Sequence, residues 1–144
     1  MSSLKKNMKG KMKAFRVRSI GDDTGSLIAL ESETQFIPFD IERVYYIFDT
    51  TPGAARGHHA HKKLKQVLIS ISGSCTVVCD NGKQKKEYIL DWPDKALYIE
   101  GMVWREMKNF SKGAVLLVLA SEKYNEDDYI RNHATFLKQL KDES

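Results

Sequence analysis

The chain has 144 residues and a mass of 16.5 kDa, with 42% hydrophobic and 29% charged residues. That composition fits one globular domain large enough to bury a core and excludes a disordered or fibrous chain. The formal charge of +4 comes from Lys5, Lys6, Lys9, Lys11 and Lys13, which share the first thirteen residues with no acid, so the body is almost neutral and no nucleic-acid partner is expected.

Residues 1–13, MSSLKKNMKGKMK, read as a basic, disordered tail without the apolar stretch of an export signal. A single folded domain is expected over 14–144. Strands are predicted at KAFRVRS, SLIALE, IERVYYIFD, KQVLISIS, SCTVVCD, QKKEYILD, KALYIEG, WREMKNF and AVLLVLASE. The breaks GDDTG, TPGAARG, SGS, DNGK and FSKG carry turn chemistry, and DNG between two strand patterns is the strongest hairpin signal. The longest apolar run, AVLLVLA at 114–120, is far short of the ~20 residues of a membrane helix and suits a buried strand, so no membrane partner is expected. Cys75 and Cys79 lie four apart in extended chain, roughly 13 Å, too far for an internal disulfide. Reduced thiols and a cytoplasmic protein are the expectation. One helix is predicted at NEDDYIRNHATFLKQLK, with Asn125 as N-cap and Tyr129, His133, Phe136, Leu137 and Leu140 as its apolar stripe. Many short strands and a closing helix make an all-β sandwich or barrel with a C-terminal α-helix.

The segment RGHHAH, residues 56–61, raises the question of function. In extended chain residues two apart share a face, so His59 and His61 point together and His58 points away. The spacing His59-x-His61-x4-Gln66-x6-Gly73 resembles the first signature of the cupin superfamily, with Gln66 where that signature has Glu. The second signature would fall on Gly101, Trp104 and Lys108, where neither Trp nor protonated Lys offers a metal a lone pair. Two imidazoles and one amide fall short of the usual ligand set, so no metal is expected. Acid–base chemistry remains, since an imidazole takes and returns a proton near neutral pH. Arg56, Lys62, Lys63 and Lys65 add four cations without an acid, which suits a phosphate-bearing substrate. On IERVYYIFD, Arg43 and Tyr45 share a face with Ile41 and Ile47, and can be either donors aimed at a ligand or residues of a polar rim.

SLIALE, IPFDIERVYYIFDT, RGHHAHKKLKQVLISISGSC, LYIEGMVWREM and VLASEKYNEDDYIR together resemble the nucleotide-sugar 3,4-ketoisomerases of the FdtA/QdtA type, in register from about residue 14 to the C-terminal helix. The resemblance implies a small cupin jelly roll and a homodimer that exchanges N-terminal strands. It implies dTDP-4-keto-6-deoxyglucose as substrate, a 3-keto sugar as product, and no metal or organic cofactor. An aminotransferase then makes a 3-amino sugar for surface polysaccharide or glycoconjugate. His61 is implied as the principal base, with His59 its companion and Tyr45 a third catalytic group. Arg43, Arg56 and Lys63, with Trp104, Arg105, Glu106 and Thr24, are the implied substrate-binding residues.

This chain has DTGS and WREM where FdtA-type members show SRGS and WHEM, so Thr24 and Arg105 replace Arg and His. Those positions are tied by the resemblance to the face of C4 that receives the proton. Arg105 resembles the QdtA type and points to the gluco product; Thr24 matches neither type. The competing readings are a 3,5-epimerase-like cupin, a sugar-nucleotide-binding cupin without turnover, and a metal-dependent cupin oxygenase. Gln66 and Trp104 count against the last.

Overall fold

The structure, a computed structural model, describes residues 9–143. The strands are β1 (Lys11–Arg16), β2 (Ile20–Asp22), β3 (Gly25–Leu27), β4 (Arg43–Ile47), β5 (Arg56–His61) and β6 (Lys65–Ser72). After them come β7 (Cys75–Asp80), β8 (Lys85–Leu90), β9 (Lys95–Glu100), β10 (Trp104–Lys108), β11 (Val115–Ala120) and β12 (Tyr129–Ile130), then helix α1 (His133–Glu143). Two five-stranded antiparallel sheets, ordered β1-β9-β6-β11-β4 and β12-β5-β10-β7-β8, face one another. The expected all-β architecture with a C-terminal helix is what the chain forms.

The core between the sheets is built from alternate residues of their strands, among them Leu68, Val77, Cys79, Leu97, Ile99, Leu116 and Val118. The first sheet is covered on its other face too. Ile37 and Phe39, with Ile28, Leu30 and Phe36 of the segment between β3 and β4, pack on Val67, Ile69 and Leu119. Burial on both faces is why VLI at 67–69 and VLLVLA at 115–120 read as continuous apolar runs and not as alternating ones. Both cysteines are buried free thiols on β7. At the DNG turn Asp80 Oδ1 accepts the Gly82 N–H at 2.8 Å, and Asn81 Oδ1 those of Lys83 and Gln84 at 3.0 and 2.8 Å, joining β7 to β8. No helix among the described residues is long and apolar enough to cross a membrane.

Several boundaries differ from expectation. The tail expected to end at residue 13 gives way earlier, because Lys11 already pairs with Glu100 and Met12 packs against the core. Residues 1–8 of that tail lie outside the described residues. Of SLIALE only Ser26 and Leu27 are in a strand; Ile28 and Leu30 leave the β2–β3 hairpin to cover the sheet. The C-terminal helix starts at His133 and not at Glu126. Asn125 does act as a cap, its side chain accepting the Asp127 N–H at 3.0 Å, but of a single 3-10 turn over Glu126–Asp128. Tyr129 and Ile130 then pair with His61 and Ala60, a tertiary contact that overrides the helical pattern. Asn132 is the cap of α1, its side chain accepting the Thr135 N–H at 2.9 Å. From there Phe136, fully buried, seats the helix on Ala60, Met102, Trp104 and Ile130, while Leu137 of the expected stripe is exposed. Burial of a Phe side chain contributes about 1.5–3 kcal/mol.

Candidate active site

Strands β4 and β5 come from opposite sheets, and an open groove of about 370 Å³ lies between them. Its walls include Arg43, Tyr45, Arg56, His59, Tyr124 and Tyr129. On β4 the alternation turns Arg43, Tyr45 and Ile47 inward and leaves Val44 and Tyr46 exposed. On β5 a bulge sets the aim of the histidines. His59 pairs with Arg105 and Gly57 with Glu106, which leaves His58 as the extra residue. Gly57 and His58 carry φ of +91° and +50° there, and His58 turns outward to Glu106 at 3.2 Å. The pattern expected of the three imidazoles, two together and one away, is thus produced with a bulge between them.

His59 Nδ1 lies 2.8 Å from the Gly57 carbonyl. A carbonyl only accepts, so Nδ1 holds the proton and Nε2 the lone pair. His61 Nδ1 lies 3.2 Å from Asp128 Oδ2, which fixes the same tautomer. Asp128 is itself seated by the Lys63 N–H at 3.0 Å, while its carbonyl accepts the Lys62 N–H at 3.1 Å. The two rings meet edge to face at 4.8 Å between centroids, and Tyr129 packs on both at 5.0 and 4.3 Å. Among the described residues, Arg43 Nε and His61 Nε2 are buried side-chain atoms without a hydrogen-bond partner. Both stand at this site, and unpaired buried polar groups are costly enough to mark a place where a ligand supplies the missing partners.

Beneath the histidines lies Arg105, fully buried on β10. Its Nε and Nη2 donate to the Val103 carbonyl at 3.3 and 3.0 Å, and Nη1 donates to Gln66 Oε1. Burial and this cation hold both histidines neutral: His59 is lowered to about 3 and His61 to about 4, with Asp128 opposing the shift at His61. Burial raises Tyr45, which keeps its phenol protonated. Asp128 is lowered in spite of burial, through His61 and the Lys63 and Lys62 N–H groups.

The expected site residues separate into two groups. Arg43, Tyr45, Arg56 and His59 line the groove; His61 stands behind His59 at 1% exposure. Arg105 faces the same interior but is covered. Because Arg105 points in, its neighbours Trp104 and Glu106 point out: Trp104 packs under α1 against His133 and Phe136 at 4.9 and 5.8 Å, and Glu106 meets His58. The Lys63 side chain is exposed and only its backbone N–H serves the site. Thr24 is exposed in the β2–β3 turn, bonded to Asp22, and does not line the groove of its own chain. Asp128 and Tyr129 were hidden by the helical reading of their segment, and Gln66 by its place in a metal signature. That signature's residues do not suit a metal. Gln66 is engaged by Arg105 and Tyr45, Trp104 and Lys108 face outward, and a buried guanidinium adjoins the histidines. Among the described residues no group of three or more His, Cys, Asp or Glu is placed to hold an ion.

Comparison with known proteins places this geometry in a family. The FdtA model, described as WxcM-like, C-terminal, matches residues 10–141. The chain is 49% identical over 128 residues to the TDP-4-oxo-6-deoxy-alpha-D-glucose-3,4-oxoisomerase of Aneurinibacillus thermoaerophilus, covering 89% of this chain and 91% of the relative. It superposes on the TDP-quinovose 3,4-ketoisomerase WlaRB of Campylobacter jejuni with a TM-score of 0.84 at 54% identity, covering 88% of this chain and 97% of the other. The QdtA sugar 3,4-ketoisomerase of Thermoanaerobacterium thermosaccharolyticum, solved in complex with TDP, gives a TM-score of 0.87 at 44% identity over 91% of this chain and 95% of its own. The chain belongs to the FdtA, WxcM-like family and is an isomerase of that family.

Proposed function

We propose that the protein converts dTDP-4-keto-6-deoxyglucose to the 3-keto sugar with its own side chains and no metal. The observation that carries this is a pair of neutral imidazoles, His59 at the groove wall and His61 behind it, beside a protonated tyrosine and an unsatisfied arginine nitrogen. The hydrogen at C3 lies alpha to the C4 ketone. His59, which reaches the groove, takes it onto Nε2, and the electrons form an enediolate across C3 and C4. Its oxygens are met by the Tyr45 O–H and Arg43, the kind of donor whose removal costs ~3–4 kcal/mol. The imidazolium returns its proton at C4. A second proton passes from the C3 hydroxyl to the C4 oxygen, a transfer assigned to His61 because its Nε2 is unpaired and its Nδ1 is held by Asp128. The two histidines therefore exchange the order the resemblance implied, because His59 is at the wall and His61 behind it. Arg56 takes the diphosphate side of the substrate.

The gluco configuration at C4 is the reading we favour, supported by the Campylobacter relative named for quinovose. Arg105 is covered by the site residues, so its influence on C4 passes through the groups above it. A homodimer is part of the same proposal. β1 pairs with β9 of its own chain, so the element free to exchange is the β2–β3 hairpin, which belongs to neither large sheet and exposes Ile20 and Leu27 at 57% and 59%. Incubation of chelator-treated protein with dTDP-4-keto-6-deoxyglucose, followed by NMR, should show the 3-keto-6-deoxyglucose product. Loss of turnover that a divalent metal restores would contradict metal-free chemistry.

A further inference from the structure

Gln66 sits where the cupin signature has a metal-binding carboxylate, yet here it is 1% exposed and forms the middle of a chain of three polar side chains. Arg105 Nη1 donates to Gln66 Oε1, and Gln66 Nε2 donates to the Tyr45 hydroxyl oxygen at 3.0 Å. The orientation of the amide follows from chemistry. A guanidinium has donors only, so the carbonyl end of Gln66 must face Arg105 and the amino end must face Tyr45. A phenol that receives an N–H on its oxygen keeps its own hydrogen free. Tyr45 lines the groove, so that hydrogen is available to a bound sugar. The position is open to the contact because Ala120, which lies between Gln66 and Arg43 across β11, carries only a methyl group.

We propose that Gln66, oriented by the buried Arg105, is a positioning residue that makes Tyr45 donate its hydroxyl hydrogen into the groove. This rests on the reading of Tyr45 as a donor to a substrate oxygen. A carboxylate at position 66 would have kept the Arg105 contact but offered Tyr45 an acceptor, turning its hydrogen away from the sugar. The residue that would complete a metal site in this fold is therefore the one that would disable Tyr45. Arg105, in turn, fixes the amide and supplies the positive potential that the enediolate needs, without touching the substrate.

The test is a double-mutant cycle on the full-length protein, with dTDP-4-keto-6-deoxyglucose as substrate. Gln66→Glu should lower kcat by about 10²-fold, as loss of one oxyanion donor does, with dTDP binding unchanged. Tyr45→Phe should lower kcat by a similar factor. The double variant should be no slower than Tyr45→Phe alone, because both changes remove the same hydrogen bond. Losses that multiply would give Gln66 a merely structural role, and wild-type kcat in Gln66→Glu would remove it from the mechanism. Wild-type turnover by Tyr45→Phe would overturn the donor reading itself and this inference with it. Should Gln66→Glu fail to fold, Gln66→Met, which removes the donor that orients Tyr45 without offering a carboxylate in its place, should show a smaller loss of kcat and the same lack of effect on the Tyr45→Phe background.

Discussion

At the scale of single residues the site is defined by which protons are absent. The two histidines are bases at neutral pH because burial and Arg105 hold them neutral, to about 3 for His59 and about 4 for His61. Their protonated forms are worse off folded than unfolded, where the reference value is near 6.5. Stability from this source is therefore complete above pH 6.5 and is lost progressively as the pH falls toward 4. The acid limb of kcat/KM should have its midpoint nearer 4 than 6.5, and the urea midpoint should fall across the same window. A limb centred on 6.5 would mean that the histidines are exposed and ordinary. Much of this was legible beforehand, since two imidazoles at i and i+2 must share a face, and Arg43 and Tyr45 two apart on β4 do the same. Parity also bears on the residues that do not reach the groove: with Arg105 inward, Trp104 and Glu106 are outward. Burial of Arg105 was not legible, because nothing in a sequence says that a cation will be satisfied by one carbonyl and one amide.

At the scale of elements, the histidine strand depends on its bulge. Gly57 holds a φ of +91°, and a Cβ there would stand 3.0 Å from the Arg105 carbonyl oxygen. Its own carbonyl fixes the His59 tautomer. Gly57→Ala should therefore lose about 1–3 kcal/mol of stability, the cost of a non-glycine residue in that region. It should also lower kcat about tenfold or more by shifting His59 from its aim. Thermal melts and steady-state rates measure both, and an unchanged kcat would separate the bulge from the catalytic geometry. The C-terminal segment shows where a pattern misleads. Acids after an Asn and an apolar residue every third or fourth position read as one long helix. In the fold the same residues make a 3-10 turn, a two-residue strand against β5, and only then α1. That strand pairing, between residues far apart in sequence, brings Asp128 and Tyr129 to His61, and no local signal encodes it.

At the scale of the whole molecule, one chain forms a closed core but leaves apolar surface uncovered. Val44, Tyr46 and Phe48 are 54%, 61% and 62% exposed on and beside edge strand β4, and the β2–β3 hairpin adds Ile20 and Leu27. Edge strands with apolar outer faces seek partners, and a second copy of the chain is the proposed partner. Light scattering should give about twice 16.5 kDa. A monomer with full activity would show that the hairpin and β4 serve something other than self-association.

In the proposed mechanism His59 and His61 move two protons around the C3–C4 bond of a keto sugar. Turnover of dTDP-4-keto-6-deoxyglucose in deuterated water, followed by NMR, tests it most directly, with wild type, His59→Asn and His61→Asn compared. Wild type should form the 3-keto sugar, with any deuterium at C4 and none at C5 above the non-enzymatic rate. His59→Asn should abolish exchange at C3 and C4, and His61→Asn should lower kcat by roughly 10²–10⁴-fold, the worth of a positioned acid–base group. Enzyme-dependent exchange at C5 would mean epimerase chemistry, and near-wild-type turnover by both variants would mean that neither imidazole is the base.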